Sequence, residues 1–264
     1  MTTDPANLPP VLRPENPPVH RLADLAAHLG APIEHLPVDA DATDVGADPL
    51  APVTGLTLAT ADLRPGDLFV AVQGGTRHGA EFAGDAAARG AVAVVTDTAG
   101  RERALASGLP TLVVPDPRGC LGALSAWTYA TGPGDALPIL FGTTGTNGKT
   151  SVSHLLEGIL TQLGVTSGLS STAERHIAGD VIVSRLTTPE AYEMHALLAL
   201  MRERGVEAVA VEVSAQALSR QRVDGIVFDV AGFTNLSHDH LDDYADMTEY
   251  FQAKVPLFRP DRSR

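Results

Sequence analysis

Apolar residues follow two patterns along the first half of the chain, and each pattern predicts a different element. From Arg21 to Leu29 they recur three or four positions apart and Gly30 follows, which predicts a helix that ends at this glycine. Short continuous apolar runs between glycines and prolines are typical of buried strands. Such runs lie at 53–58, 68–72, 91–95 and 112–114, and the intervening periodicity predicts helices at 80–89 and 120–129.

The second half repeats this alternation of strands and helices. Strands are predicted at 137–141, 208–213 and 226–233, and helices at 151–163, 190–204, 215–220 and 247–258. The stretch from 164 to 188 lacks a clear period and is interpreted as irregular, and residues 234–243 are predicted to form a loop. Alternating strands and helices indicate an α/β fold with a mainly parallel sheet, which collects ligands at the carboxyl ends of its strands.

Clusters of proline and glycine suggest where the chain is divided. Residues 1–18 are polar and rich in proline, which predicts a disordered tail. A cluster of helix and strand breakers at 131–135 separates two stretches that each have their own apolar runs. We therefore predict a small α/β domain over 19–134 and a second α/β domain over 135–264.

The composition of the 264 residues narrows the classes of function. Apolar residues make up 44%, so the chain can bury a sizeable core, and the net charge of −13 argues against a nucleic-acid or anionic membrane surface. Cys120 is the single cysteine, which excludes an internal disulfide and favours a reducing compartment. No apolar run approaches the length that crosses a bilayer, so we expect a cytoplasmic protein without membrane insertion.

The most informative stretch lies between the strand at 137–141 and the helix at 151–163. Gly145 and Gly148 allow the backbone to approach an anion, and the amides at the start of the helix point towards it. Lys149 supplies a charge for the outer phosphates of a nucleotide, and Thr150 supplies a hydroxyl for Mg²⁺. The general phosphate-loop pattern has glycine where this chain has Thr143. We predict a nucleotide site, the alternative being a glycine-rich turn.

Two further residues follow predicted strands and could reach this loop. Glu212 ends one strand and His240 lies in the loop after another, so neighbouring strands would bring both to Thr150 and form a magnesium site. Either residue could instead be an ordinary solvent-exposed polar residue with no role in a site. Residues 187–190 (Thr-Thr-Pro-Glu) could cap a helix or belong to the site, and Arg222 could grip an anion or be a surface charge.

Together these motifs resemble the Mur ligase family, and within it the MurE type, which adds the third amino acid to UDP-N-acetylmuramoyl-L-alanyl-D-glutamate. The resemblance extends from about Thr54 to the last residues. It rests on ordered motifs at 144–150, 187–190, 212–214, 222–225, 233–242 and 253–254, with further matches at 65–71 and 89–95.

This resemblance implies a function for each part of the chain. The first domain would bind the UDP-sugar and the second ATP, and a monomeric enzyme would join a diamino acid to the UDP-muramoyl dipeptide. Lys254 would be carbamylated. The resemblance assigns ATP to Gly145, Thr146, Asn147, Gly148, Lys149 and Thr150; Mg²⁺ to Thr150, Glu212, His240 and Lys254; and catalysis to Lys149, His240 and Lys254. It assigns the uridine part of the substrate to Thr60, and the muramoyl peptide to Thr187, Thr188, Ser214 and Arg222.

The chain also departs from the family pattern. It has Ala59-Thr60-Ala61 where the family usually has Asp-Ser-Arg at the uridine. By the family pattern it ends inside the central domain, ten residues after Lys254, so that this domain and its sheet would be incomplete and the C-terminal domain absent. We therefore expect the chain by itself to make no product. The alternatives are another ligase of the superfamily, such as a MurF-type enzyme, or a shortened non-catalytic protein that binds ATP or a UDP-sugar.

Overall fold

A computed structural model describes residues 11–35, 48–184, 186–239 and 242–264 of the chain. These residues divide into two compact units, one formed by 17–129 and the other by 11–16 together with 130–264. Both units have helices around a mainly parallel sheet, which confirms the predicted fold class. Within the described ranges, no helix has the length and apolar character needed to cross a membrane.

The unit of residues 17–129 contains a five-stranded sheet in the order β2-β7-β6-β5-β4. Strands β4 to β7 are parallel, β2 is antiparallel at one edge, and β1 pairs separately with β3. Small side chains such as Ala83 and Ala86 allow helix α2 to pack closely on this sheet. The elements are β1 (His20–Arg21), α1 (Leu22–Leu29), β2 (Ile33–Glu34), β3 (Pro52–Val53), β4 (Gly55–Thr57), β5 (Asp67–Ala71), α2 (Ala83–Ala88), β6 (Ala93–Thr96), α3 (Arg101–Ala106), β7 (Thr111–Val113) and α4 (Leu121–Tyr129).

The second unit is built on a six-stranded sheet in the order β11-β10-β9-β12-β8-β13. The four strands β9, β12, β8 and β13 are parallel, and β10 and β11 extend the sheet with antiparallel pairing. Helix α6 is buried over nearly its whole length against this sheet. The elements are β8 (Ile139–Thr144), α5 (Lys149–Gln162), β9 (Ser167–Ser170), β10 (Glu174–Ile177), β11 (Asp180–Val183), α6 (Ala191–Glu203), β12 (Ala208–Glu212), α7 (Ala215–Ser219), β13 (Val230–Phe233) and α8 (Met247–Gln252).

The region 164–188, interpreted from the sequence as irregular, instead contains three strands. Strand β9 is rich in serine and glycine and carries little β propensity of its own, and it is buried because β10 and β12 flank it. Strands β10 and β11 form a hairpin whose turn residues Ala178 and Gly179 have φ of 50° and 97°. Pairing with neighbouring strands, rather than local pattern, determines this part of the fold.

Smaller differences occur at helices and near the N-terminus. Helix α3 was not predicted, and the helix predicted over 247–258 ends at Gln252, with a separate 3-10 turn at Val255–Phe258. Residues 11–16, expected to belong to a disordered tail, instead form part of the second unit. Val11 is buried, and Glu203 accepts backbone hydrogen bonds from residues 15 and 16. Residues 1–10 of that predicted tail lie outside the described residues.

Candidate functional site

The loop between β8 and α5 has the strand–loop–helix geometry that the sequence predicts. Gly145 has φ of 143° and Gly148 has φ of 84°, both in the region that favours glycine. A Cβ on Gly145 would lie 2.0 Å from Thr234 Oγ1, so the loop and the segment after β13 approach each other more closely than any side chain allows. Helix α5 begins at Lys149, which directs its first amides into the loop.

Residues 234–237 hold the phosphate loop from one side. The Thr146 amide donates to Asn235 O at 2.9 Å, and Thr146 Oγ1 accepts from the Ser237 amide at 3.0 Å. Thr234 Oγ1 donates to the Asn147 carbonyl at 2.7 Å. These bonds fix the loop backbone before any ligand binds, which lowers the entropy cost of binding an anion there.

The chain contains two lysines, and both contact this loop. Lys149 Nζ and Lys254 Nζ donate to the same Gly145 carbonyl, at 3.0 and 3.1 Å. Burial lowers the pKa of Lys149, opposed by the charges of Glu212 and Asp239. Burial also lowers the pKa of Lys254, to about 8, and the nearby Lys149 charge adds to the effect. The loop is therefore a concentrated positive site in an acidic chain.

Thr150 and Glu212, predicted from the sequence to converge, are in direct contact. Thr150 Oγ1 lies 3.1 and 3.0 Å from the two carboxylate oxygens of Glu212, which is 2% exposed at the end of β12. Thr172 donates to the same carboxylate through its amide at 2.8 Å and its hydroxyl at 2.9 Å. Three donor groups therefore hold this buried carboxylate in one orientation, and with the Thr150 hydroxyl it offers the oxygen ligands that Mg²⁺ prefers.

Thr188 takes a different role from the helix cap considered in the sequence analysis. Helix α6 begins after Glu190, whose side chain makes no capping hydrogen bond. The Thr188 hydroxyl instead donates to the Glu212 carbonyl at 3.0 Å and accepts from the Ser214 amide at 3.2 Å. Thr188 therefore stabilises the end of β12 rather than the start of helix α6.

Arg222 and Ser214 lie on the same side of β12 as this bond. Arg222 Nε pairs with Glu190 Oε1 at 2.9 Å and is half-buried rather than a free surface charge. The Ser214 hydroxyl accepts from the Ala217 amide and so caps helix α7. Both side chains line the cleft described next.

A cleft of about 440 Å³ opens beside the phosphate loop at the carboxyl ends of the strands. Among the predicted site residues it contains Lys149, Thr187, Glu212, Ser214 and Arg222. Four polar lining residues were not predicted to belong to the site. These are Thr172, Gln216, Arg220 and Asp243, none of which carries a motif that would identify it.

His240 lies outside the described residues. Thr60 belongs to the other unit, where it begins a 3-10 turn after β4. A separate cavity of about 270 Å³ lies at the opposite end of β8 from the phosphate loop and is lined by Asp229, Arg264 and residues 131–140.

Comparison with known proteins gives consistent matches to both parts of the chain. The model of the Mur ligase middle domain matches residues 143–263, and that of the Mur ligase family catalytic domain matches 52–129. A UDP-N-acetylmuramyl-tripeptide synthetase of Leifsonia xyli is 56% identical over 97% of the chain and 47% of its own length. A UDP-N-acetylmuramoyl-L-alanyl-D-glutamate–2,6-diaminopimelate ligase of Streptomyces avermitilis is 48% identical over 96% of the chain and 47% of its own length.

Solved structures show the same fold. A UDP-N-acetylmuramoyl-L-alanyl-D-glutamate–2,6-diaminopimelate ligase has a TM-score of 0.69 at 23% identity, covering 94% of this chain and 46% of the other. MurF from Acinetobacter baumannii has a TM-score of 0.59 at 17% identity, covering 92% of this chain and 47% of the other. The chain spans about half the length of the curated relatives it matches. With both Mur ligase models matched and more than half of the residues shared with a curated relative, the chain belongs to the Mur ligase family.

Proposed function

We propose that the protein containing this chain is an ATP-dependent amide ligase that adds a diamino acid to UDP-N-acetylmuramoyl-L-alanyl-D-glutamate. The observation that carries the proposal is the contact of Thr150 with Glu212 beside Lys149, at a cleft lined by Ser214 and Arg222. The names of the Leifsonia and Streptomyces relatives support the reaction and the substrate class. The MurF-type alternative has weaker support, since its structural likeness is lower.

ATP would bind with its phosphates in the loop at 145–150. The amides at the start of α5 and the Lys149 ammonium face this loop, and together they suit the negative charge of a triphosphate. Thr150 and Glu212 would hold Mg²⁺, because a hydroxyl and a carboxylate are hard oxygen ligands and already point at each other. When bound, Mg²⁺ neutralises charge on the phosphates during transfer.

The muramoyl peptide would lie in the cleft with its carboxylate turned to the phosphate loop. Arg220 and Arg222 supply the local cations that an acidic chain needs to meet an anionic substrate. The side-chain carboxylate of the D-glutamyl residue would attack the γ-phosphorus of ATP, so that the bond to the β–γ bridging oxygen breaks, ADP leaves and an acyl phosphate forms. The amine of the diamino acid then attacks the acyl carbon, phosphate leaves, and an amide remains. The chain's own residues act by positioning and charge stabilisation.

Lys254 is the residue proposed to be carbamylated. Its pKa of about 8 leaves part of the amine neutral near physiological pH, and a neutral amine can attack CO2 to form a carbamate and release a proton. The Lys254 ammonium repels the Lys149 ammonium, because both donate to the Gly145 carbonyl. Converting the Lys254 amine to an anionic carbamate removes this repulsion. The carbamate oxygens would then become a further candidate ligand group for Mg²⁺.

The test uses the full-length protein, ATP, the UDP-muramoyl dipeptide and lysine, ornithine or diaminopimelate in turn. We expect Lys149→Ala to abolish ATP turnover and peptide-product formation. Arg101→Ala is the matched control, because Arg101 is an exposed cation of the other unit paired with Glu34. Near-normal turnover in Lys149→Ala would refute the site, and turnover of ATP without product from any diamino acid would refute the substrate assignment.

A further inference from the structure

Four metal-ligating side chains lie close together outside the cleft. His154 and Glu157 are three residues apart on α5, and Glu174 and His176 are two residues apart on β10. These spacings place each pair on one face of its element. Helix α5 packs on β9, and β10 pairs with β9 so that His176 lies opposite Leu169. The fold thus brings the two pairs together.

His176 is held between two carboxylates. Its Nδ1 lies 3.2 Å from Glu157 Oε1 and its Nε2 lies 3.0 Å from Glu174 Oε2. His154 is edge-on to His176 with ring centroids 5.6 Å apart. One ligand atom from each of His154, Glu174 and His176 lies within 4.8 Å of the others. All three are partly exposed, so an ion could reach them from solvent.

The two contacts of His176 make different demands on the ring. A neutral imidazole has one N–H and donates to one carboxylate only. In the tautomer that has Nδ1–H directed at Glu157, the lone pair of Nε2 faces Glu174, and a cation bound to both Nε2 and Oε2 makes this contact favourable. A carboxylate on the far nitrogen is also the usual arrangement behind a metal-bound histidine.

The separation of His176 Nε2 and Glu174 Oε2 suits an ion of the zinc class, and His154 supplies its ligand atom from within 4.8 Å. Bonds of about 2.0–2.1 Å in a tetrahedral site place neighbouring ligand atoms roughly 3.3 Å apart. The Nε2–Oε2 distance of 3.0 Å needs only a small outward shift to accept such an ion. Two imidazoles and one carboxylate favour zinc over magnesium, which prefers oxygen ligands.

We propose that His154, Glu174 and His176 form a binding site for a divalent transition-metal ion of the zinc class, with Glu157 orienting His176. Three protein ligands leave a fourth position open on the solvent side, where the Glu174 side chain is 43% exposed. The ion ties α5 to β10 one helical turn beyond Thr150. This site is separate from the cleft of the proposed ligase reaction, since none of its four residues lines that cleft.

The test is a zinc titration of untagged full-length protein after removal of metal, in competition with a chromogenic chelator and with excess Mg²⁺ to fill oxygen-ligand sites. We expect one equivalent of Zn²⁺ to bind to the wild type. That equivalent should be lost in His154→Gln and His176→Gln and bound about 10- to 100-fold more weakly in Glu157→Gln. His35→Gln, an exposed histidine of the other unit, is the matched control and should bind normally.

Cobalt substitution gives an independent readout. Co²⁺ should produce the intense visible absorption of a tetrahedral site in the wild type but not in His176→Gln. Glu174→Gln, at a side chain exposed enough to leave folding intact, should also weaken binding, and metal-free circular dichroism checks the fold of each variant. Absence of a bound equivalent in the wild type, or one that survives in both histidine variants, would overturn the proposal.

Discussion

Replacing Gly145 by alanine tests the close approach on which the phosphate loop depends. The new Cβ would lie 2.0 Å from Thr234 Oγ1 and 3.0 Å from Asn235 O. Thr234 cannot turn away without losing its 2.7 Å hydrogen bond to the Asn147 carbonyl. The backbone φ of 143° adds strain of its own, since side-chain-bearing residues rarely adopt it.

The same segment contains two matched controls. Gly148 has φ of 84°, but a methyl group added there would have no atom within 4 Å, so alanine meets only backbone strain, about 1–2 kcal/mol. Gly158 lies within α5 with open space and ordinary backbone, so alanine should stabilise the protein by about 0.5–1 kcal/mol. Gly145→Ala combines backbone strain of about 1–3 kcal/mol with the steric collision. We expect its free energy of unfolding to fall furthest.

Urea denaturation followed by circular dichroism, and titration with a fluorescent ATP analogue, measure both consequences. Stability should decrease in the order Gly158→Ala, wild type, Gly148→Ala, Gly145→Ala. Nucleotide affinity should fall at least tenfold in Gly145→Ala, which corresponds to about 1.4 kcal/mol, and stay unchanged in Gly158→Ala. Wild-type stability and affinity in Gly145→Ala would refute the packing of residues 234–235 on this loop.

Perturbed pKa values at two buried side chains and at the half-buried Cys120 can each be tested. Lys254, as the free amine in CO2-free buffer, has a pKa of about 8 in the folded state against 10.5 in the unfolded state. The unfolded state therefore binds more protons between these values, so stability should rise with pH in this range, and Lys254→Met should show a smaller rise in urea titrations. Burial lowers the pKa of His195 to about 4, so stability should fall as the pH drops from 6.5 to about 4, and the His195 ring should not titrate by NMR above about pH 5.5. Burial and the Asp116 charge raise the pKa of Cys120 to about 11, so it should react with a thiol reagent at about pH 8 far more slowly than free cysteine, and a free-cysteine rate would contradict this environment.

The phosphate loop could be predicted from the sequence because its determinants are local. Two glycines, a lysine and a threonine between a strand and a helix specify the backbone and its charge within a few residues. The position of Glu212 near the loop can also be predicted from the sequence. The carboxyl ends of neighbouring parallel strands lie at the same edge of the sheet, so a residue at the end of one strand lies close to the loop that follows the next. Helix α5 and strand β12 accordingly form where the pattern predicts them.

Other features depend on contacts between distant segments. Strand β9 has almost no local strand signal and forms because β10 and β12 flank it. Thr172 reaches the Glu212 carboxylate across 40 positions of sequence, and nothing near it in the chain marks that role. Thr188 has the pattern of a helix cap but bonds to the end of β12, because the buried polar groups there need hydrogen-bond partners.

The sequence by itself determined the α/β class, the family and the loop at 145–150, because hydrophobic periodicity and short motifs act within one element and its neighbours in the chain. Only the tertiary structure decided which polar groups meet around Glu212, that both lysines donate to the Gly145 carbonyl, and that His154 of α5 contacts His176 of β10. Those contacts come from strand order and helix packing, which no local pattern encodes.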